Sequence, residues 1–195
     1  NMAKVPFNQN QEGFFVGTMT NVPAIKEEPN MPPEDQVIKW AVLSYDSSSF
    51  NWGRVSTGWR LYFAQATETT KEIQQKATEL AANTTTEEEK VQRIYDFVQK
   101  EIRNLSFDAS LTIEQRQKIE IKSPTDALKK RMGHQGDINY LFAALAKAMK
   151  IQTAWVVSSN RSESFFNPDR GGADSGLHSS AVAVIFRNGA TKYIN

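Results

Sequence analysis

Two stretches of this chain repeat their apolar residues at helical spacing, and the period then changes to that of strands. Val91, Ile94, Tyr95, Val98 and Ile102 fall at i, i+3, i+4, i+7 and i+11, which places them on one face of an α-helix. Thr86 and Glu89 stand just before that run at the spacing of a capping box, in which each side chain accepts from the other's backbone N–H. Ile138, Leu141, Phe142, Leu145, Ala146 and Met149 repeat the same offsets farther on and predict a second buried helical face. Between the two, Ser123, Pro124, Thr125 and Asp126 predict the start of a short helix that Gly133 is expected to stop, with Asp137 in the first turn of the next.

After residue 150 the pattern is extended. Residues 153–158, T-A-W-V-V-S, are rich in β-formers and predict a strand. Residues 159–177 carry Pro168, Gly171, Gly172 and Gly176 among polar residues and predict a long loop, expected to be among the most mobile segments. His178 opens a second strand, H-S-S-A-V-A-V-I-F, and Asn188-Gly189 is a hairpin signal leading to a third over 191–195. In the first half, residues 13–22 and 37–45 read as extended, separated by Pro29, Pro32 and Pro33, which fit neither helix interior nor central strand. Residues 47–49 are serines placed to cap a helix over about 50–66, and a polar helix follows near 69–82. Trp40, Trp52, Trp59, Tyr62 and Phe63 are expected to be mostly core, since aromatics at helical spacing usually are. The pattern as a whole predicts an α+β protein, with helices packed on an antiparallel sheet and an extended N-terminal arm.

Composition narrows the function classes. The chain has 195 residues, 39% hydrophobic, enough for one sizeable domain with an attached arm. Its 23 Lys and Arg against 22 Asp and Glu leave a net charge of +1, which argues against nucleic acid or anionic lipid as partner. No apolar run approaches the length of a membrane span. The chain contains no cysteine, so disulfides and thiolate metal sites are excluded, while the compartment stays open. Asn1 ahead of Met2, and an end that falls on a hairpin strand, are what a segment of a longer protein would present.

The candidate chemistry centres on Met132 to Phe142, M-G-H-Q-G-D-I-N-Y-L-F, where a tight turn presents Gln135 at a helix N-terminus. Taken alone, Gln135 is an ordinary polar residue of a helix-start turn, and His178 an ordinary strand-end histidine. Asp137 in a first turn interacts favourably with the helix dipole. Phe165 and Phe166, adjacent aromatics in a polar loop, are hard to bury on a regular element and are expected to contact a partner or cover a cleft. His134, Asp137, Asp174 and His178 could meet only if the loop folds back over the helix start, and without H-x-x-x-H spacing no metal and no cofactor is expected. Ser179 and Ser180 lack the G-x-S-x-G elbow of a serine hydrolase.

The order of helix, strand, loop, His-bearing strand, turn and strand ending in a polar residue resembles the transglutaminase-like superfamily, within the papain-like fold. In that family a G-x-C-x-D type motif opens the helix, a histidine starts a later strand, and an aspartate on the next strand orients the imidazole. By that resemblance Gly133 and Asp137 match the motif, Gln135 falls on the cysteine, His178 on the histidine and Asn195 on the aspartate. A helix N-terminus stabilises a thiolate; a glutamine amide is a very poor nucleophile, which closes covalent acyl transfer there. Asn195 is a tolerable orienter, since papain-type enzymes use asparagine.

Residues 21–33, N-V-P-A-I-K-E-E-P-N-M-P-P, resemble the end of the β-rich region that precedes such domains in bacterial proteins. That implies a bacterial source and a larger parent chain, with periplasmic location or export open. The expected partition is an arm over 1–45, connecting helices over 46–83 and a transglutaminase-like domain over 84–195, truncated at its C-terminus. The arm is expected to pack on the helices, being too short for a core of its own. The resemblance implies a binding or scaffolding module that has lost catalysis and takes a protein or peptide ligand at a cleft of His134, Asp137, Trp155, Phe165 and Phe166. The alternatives are an amide-bond enzyme using a route without cysteine, and a structural spacer.

Overall fold

A computed structural model of the chain describes residues 7–21, 24, 26, 29–32, 52–160, 166 and 177–195, with His178 described by its backbone alone. The expected strand over 37–45, the serine cap at 47–49, Trp40, Phe165, Asp174 and nearly all of the loop over 159–177 lie outside the described residues.

Described elements of the arm are the short antiparallel strands β1 (Asn8–Gln9) and β2 (Phe15–Val16), with Asn8 opposite Val16. Residues 7–21 are all exposed, so the packing expected of the arm is not visible in its described part. Six α-helices follow among the described residues: α1 (Trp52–Ala66), α2 (Lys71–Ala81), α3 (Glu87–Glu101), α4 (Ile113–Gln117), α5 (Pro124–Lys130) and α6 (Gln135–Ala148). No described helix is long and apolar enough to cross a membrane.

Local chemistry accounts for most of these boundaries. The capping box before α3 is formed: Glu89 N donates to Thr86 Oγ1 at 3.1 Å, and Thr86 N donates to Glu89 Oε2 at 3.2 Å. Ser123 caps α5 by accepting from Asp126 N, with Pro124 at the first helical position. Gly133 does not stop α5 as expected. Arg131 does, in the left-handed region at φ 55°, leaving Met132–Gly133 free to form strand β4 parallel to β3 (Arg103–Asn104). Gly133 is needed for a different reason, since a Cβ there would lie 3.0 Å from the Cβ of Asp137 in the first turn of α6.

The sheet runs β5 (Gln152–Ser159), β6 (Leu177–Ile185), β7 (Thr191–Ile194), antiparallel throughout. Ser158 pairs with Ser179 and Ser159 with Leu177, so His178 is the extra residue of a β-bulge, a device that re-aims a side chain at a strand end. The β6–β7 connection closes through Gly189 N to Phe186 O and Phe186 N to Ala190 O, both at 2.9 Å. Gly189, at φ 84°, takes the left-handed position that a glycine fills without steric cost.

Helix α6 is the centre of the core. Every residue from Ile138 to Ala146 except Tyr140 is buried, because α2, α3 and α5 cover one side and β5 and β6 the other. Ile73, Ile94, Leu141, Phe142, Leu145, Val182 and Val184 form one cluster across that junction. The two-layer α+β architecture is therefore the expected one. The aromatic stripe of α1 is the exception. Only Phe63 is buried, while Trp59 is 37% exposed and Tyr62 61%. Helix α1 packs at the margin, against β5, and its apolar stripe is broader than the surface that covers it.

Candidate functional site

Gln135 is the first residue of α6, where backbone N–H groups lack intrahelical acceptors. Its own N–H donates to Ser106 Oγ at 3.0 Å. Its side chain joins a chain of amides that runs in one direction. Asn104 Nδ2 donates to Gln135 Oε1 at 2.8 Å, Gln135 Nε2 donates to Asn139 Oδ1 at 3.3 Å, and Asn139 Nδ2 donates to the Ser180 carbonyl on β6 at 3.4 Å. Asn104 is fixed in turn, since its Oδ1 accepts from Ser106 N at 3.0 Å. Each donor polarises the next, which strengthens such a chain.

The network borders a cleft of about 430 Å³ whose lining includes Asn104, Gln135, Ile138 and, from the residue after β7, Asn195. Arg103 and Arg131 stand at its wall, each engaged by an acid: Arg103 Nε donates to Asp108, and Arg131 pairs with Glu101 at 2.6 Å. The hydrogen bond from Arg103, followed by those from Ser110, holds the Asp108 carboxyl down at about 2. His178 lies at the β6 bulge by its backbone, and its side chain is outside the described set.

The other expected cleft residues lie apart. Asp137, two residues beyond Gln135, borders a second cavity of about 440 Å³ with Tyr62, Thr70, Ser123, Thr125 and Tyr140. Its Oδ2 accepts from His134 N at 2.9 Å, and burial pushes its carboxyl above the usual carboxylate range. His134 turns its ring to the Ile119 carbonyl at 3.2 Å. Trp155 stacks on Tyr140 with ring centroids 5.0 Å apart and belongs to the core margin. Phe166 is exposed and meets the edge of Trp52 at 5.4 Å. Among the described residues no three His, Asp or Glu side chains stand together as a metal site.

Asn104, Ser106 and Asn139 are site residues that the sequence reading did not select. Asn139 carried a usable signal: it is an amide one helical turn after Gln135, inside an otherwise apolar run. Asn104 and Ser106 carried none, because nothing local ties them to a residue about thirty positions later.

The chain belongs to the transglutaminase-like superfamily, whose family model matches residues 74–189. Among solved structures it is similar to a protein named "putative protease" from Parabacteroides distasonis, with a TM-score of 0.51 and 14% identity. The similarity covers 69% of this chain and 25% of that protein, so the chain spans about a quarter of the length of its structural neighbour, and at that identity the likeness is one of fold. No curated protein matches the sequence.

Proposed function

We propose that this chain is a non-catalytic member of its superfamily, a module that keeps the papain-like cleft and uses it to bind a protein or peptide segment. One observation carries the reading. The helix-start position at the cleft holds Gln135, in a chain without cysteine, and the Gln135 amide accepts from Asn104 and donates to Asn139. A residue bonded in both directions and lacking an ionisable proton has no nucleophile to offer. Extended peptides present alternating N–H and C=O groups, which suits a cleft bordered by the amides of Asn104, Gln135 and Asn195.

Gln135→Cys is the test, alongside the unaltered protein. The unaltered chain is expected to show no amine incorporation, deamidation or peptide hydrolysis. The variant's thiol is expected to alkylate with a lowered pKa, because the N-terminus of α6 favours the thiolate. Turnover of a simple amide donor by the unaltered chain would overturn the proposal and favour an amide-bond enzyme. An ordinary thiol pKa in the variant would show that position 135 lacks the environment of a nucleophile.

A further inference from the structure

The second cavity lies on the other side of the same helical turn, and the proposed function makes no use of it. Its walls are the rings of Tyr62 and Tyr140, which meet edge to face at 6.3 Å and 70°, and one of its polar groups is the Asp137 carboxylate. Oδ2 of Asp137 is taken by the His134 N–H, and Oδ1 accepts no hydrogen bond from a described residue. Of the charged and titratable groups around it, Lys122 lies 3.8 Å from Glu120, Asp126 pairs with Lys130, and the His134 ring, whose charge would favour the carboxylate, is turned to the Ile119 carbonyl. With Glu68 also in the lining, Asp137 and Glu68 outnumber Lys122. A half-buried carboxylate that shares a cavity with two tyrosine rings matches the requirements of an organic cation. Ordered hydroxyls add to the rim: Thr70 Oγ1 and Thr125 Oγ1 lie 2.8 Å apart.

We propose that this cavity binds an alkylammonium group, carried by a lysine side chain or a small free amine, with the rings of Tyr62 and Tyr140 as walls and Asp137 as counter-ion. The site does not depend on the cleft at Gln135, and the two can fail separately. Tyr140 is held in place by its stack on Trp155, whereas Tyr62 is an exposed ring that can be removed without opening the core.

The test is an NMR titration of the whole chain at pH 7 and constant ionic strength with n-butylammonium, its neutral isostere 1-butanol, and Nα-acetyl-lysine methylamide. Amide shifts are expected at residues 62–70, 122–125 and 135–140, with butylammonium bound about tenfold more tightly than butanol. Asp137→Asn, which keeps an oxygen for the His134 N–H, is expected to weaken binding about tenfold, and Tyr62→Ala by about fivefold. The Asp137 carboxyl should titrate at lower pH in the saturated complex, because a bound cation favours its charged form. Equal affinity for the lysine derivative and butylammonium upholds the site as one for free amines; tighter binding of the derivative upholds it as one for peptides. Undiminished binding by Asp137→Asn, equal affinity for butanol, shifts confined elsewhere, or binding only of a polyol such as glycerol would each overturn the proposal.

Discussion

Asn139 offers the sharpest test of whether the amide chain holds the site together. It is 3% exposed and joins α6 to β6 through the Ser180 carbonyl. Its two hydrogen bonds, at 3.3 and 3.4 Å, are long, so each is expected to contribute near the low end of the usual range, about 0.5 kcal/mol. Asn139→Ala also leaves a small void and an unmade bond at Ser180. That carbonyl and Gln135 are only half-buried, so water can compensate in part, and the expected total is about 1–2 kcal/mol. For a chain of this size that is a fall in Tm of about 2–8 °C. Urea unfolding followed by tryptophan fluorescence would measure it, since Trp155 sits in the aromatic cluster beside α6. Asn139→Asp adds a pH signature. A buried carboxylate facing a carbonyl has its folded-state pKa raised, so the extra cost is fully present above that pKa and fades as the pH falls through it toward about 3.9. Protonated, the carboxyl can again donate to Ser180. A loss below about 0.5 kcal/mol for Asn139→Ala, or no recovery of Asn139→Asp in acid, would refute the reasoning.

Three further outcomes follow from the same geometry. The backbone N–H groups of Thr85 and then Thr86 hold the Glu89 carboxyl below its ordinary 4.5, so its contribution is intact above 4.5 and lost as the pH falls through the lowered folded value; Glu89→Gln should lower the urea midpoint at pH 7 and have no effect in strong acid. Gly133→Ala forces a Cβ to 3.0 Å from Asp137 Cβ and is expected to cost about 1–3 kcal/mol in urea unfolding, where a neutral result would mean that the first turn of α6 shifts freely. Asp137 is raised by burial from 3.8, so stability falls as the pH rises from 3.8 through the folded value; Asp137→Asn should be as stable as the parent or more so at pH 7 by thermal melting, and a clear loss there would mean that the charge is satisfied.

Much of the fold was legible because its signals are local. Thr86 with Glu89, and Ser123 with Pro124, announce α3 and α5 within a few residues of chain, and the apolar repeat of α6 states its burial outright. The end of α5 was misread because Gly133 is the residue that most often takes the left-handed position, while the neighbouring Arg131 adopts it at a cost that tertiary packing covers. The exposure of Trp59 and Tyr62 was not legible either. Periodicity reveals that a face is apolar, and how much of it a neighbour covers depends on where α1 docks against β5. The site divides the same way. Gln135 and Asp137 are two positions apart and read as one cleft, yet on a helix a two-residue step turns about 200°, and they face separate cavities.

That separation bears on what the first turn of α6 is built to hold. A thiolate at position 135 would need donors around it and would have nothing to give. The surroundings of Gln135 have a different polarity: Asn104 offers an N–H, but Asn139 presents its oxygen, because its own N–H is committed to Ser180. A neutral amide satisfies both neighbours at once, whereas an anion would face the Asn139 oxygen unless that side chain turned over and gave up β6. The residues around position 135 thus suit the glutamine that is there, and they support reading the cleft as a place where main-chain amides are matched and not attacked. The test on Gln135→Cys gains from this, because a thiol placed there loses the bond to Asn139. A low thiol pKa in the variant would then be the work of the helix terminus and whatever base the cleft supplies. A variant that gains a low pKa only when Asn139 is also replaced would instead locate the obstacle in that single oxygen.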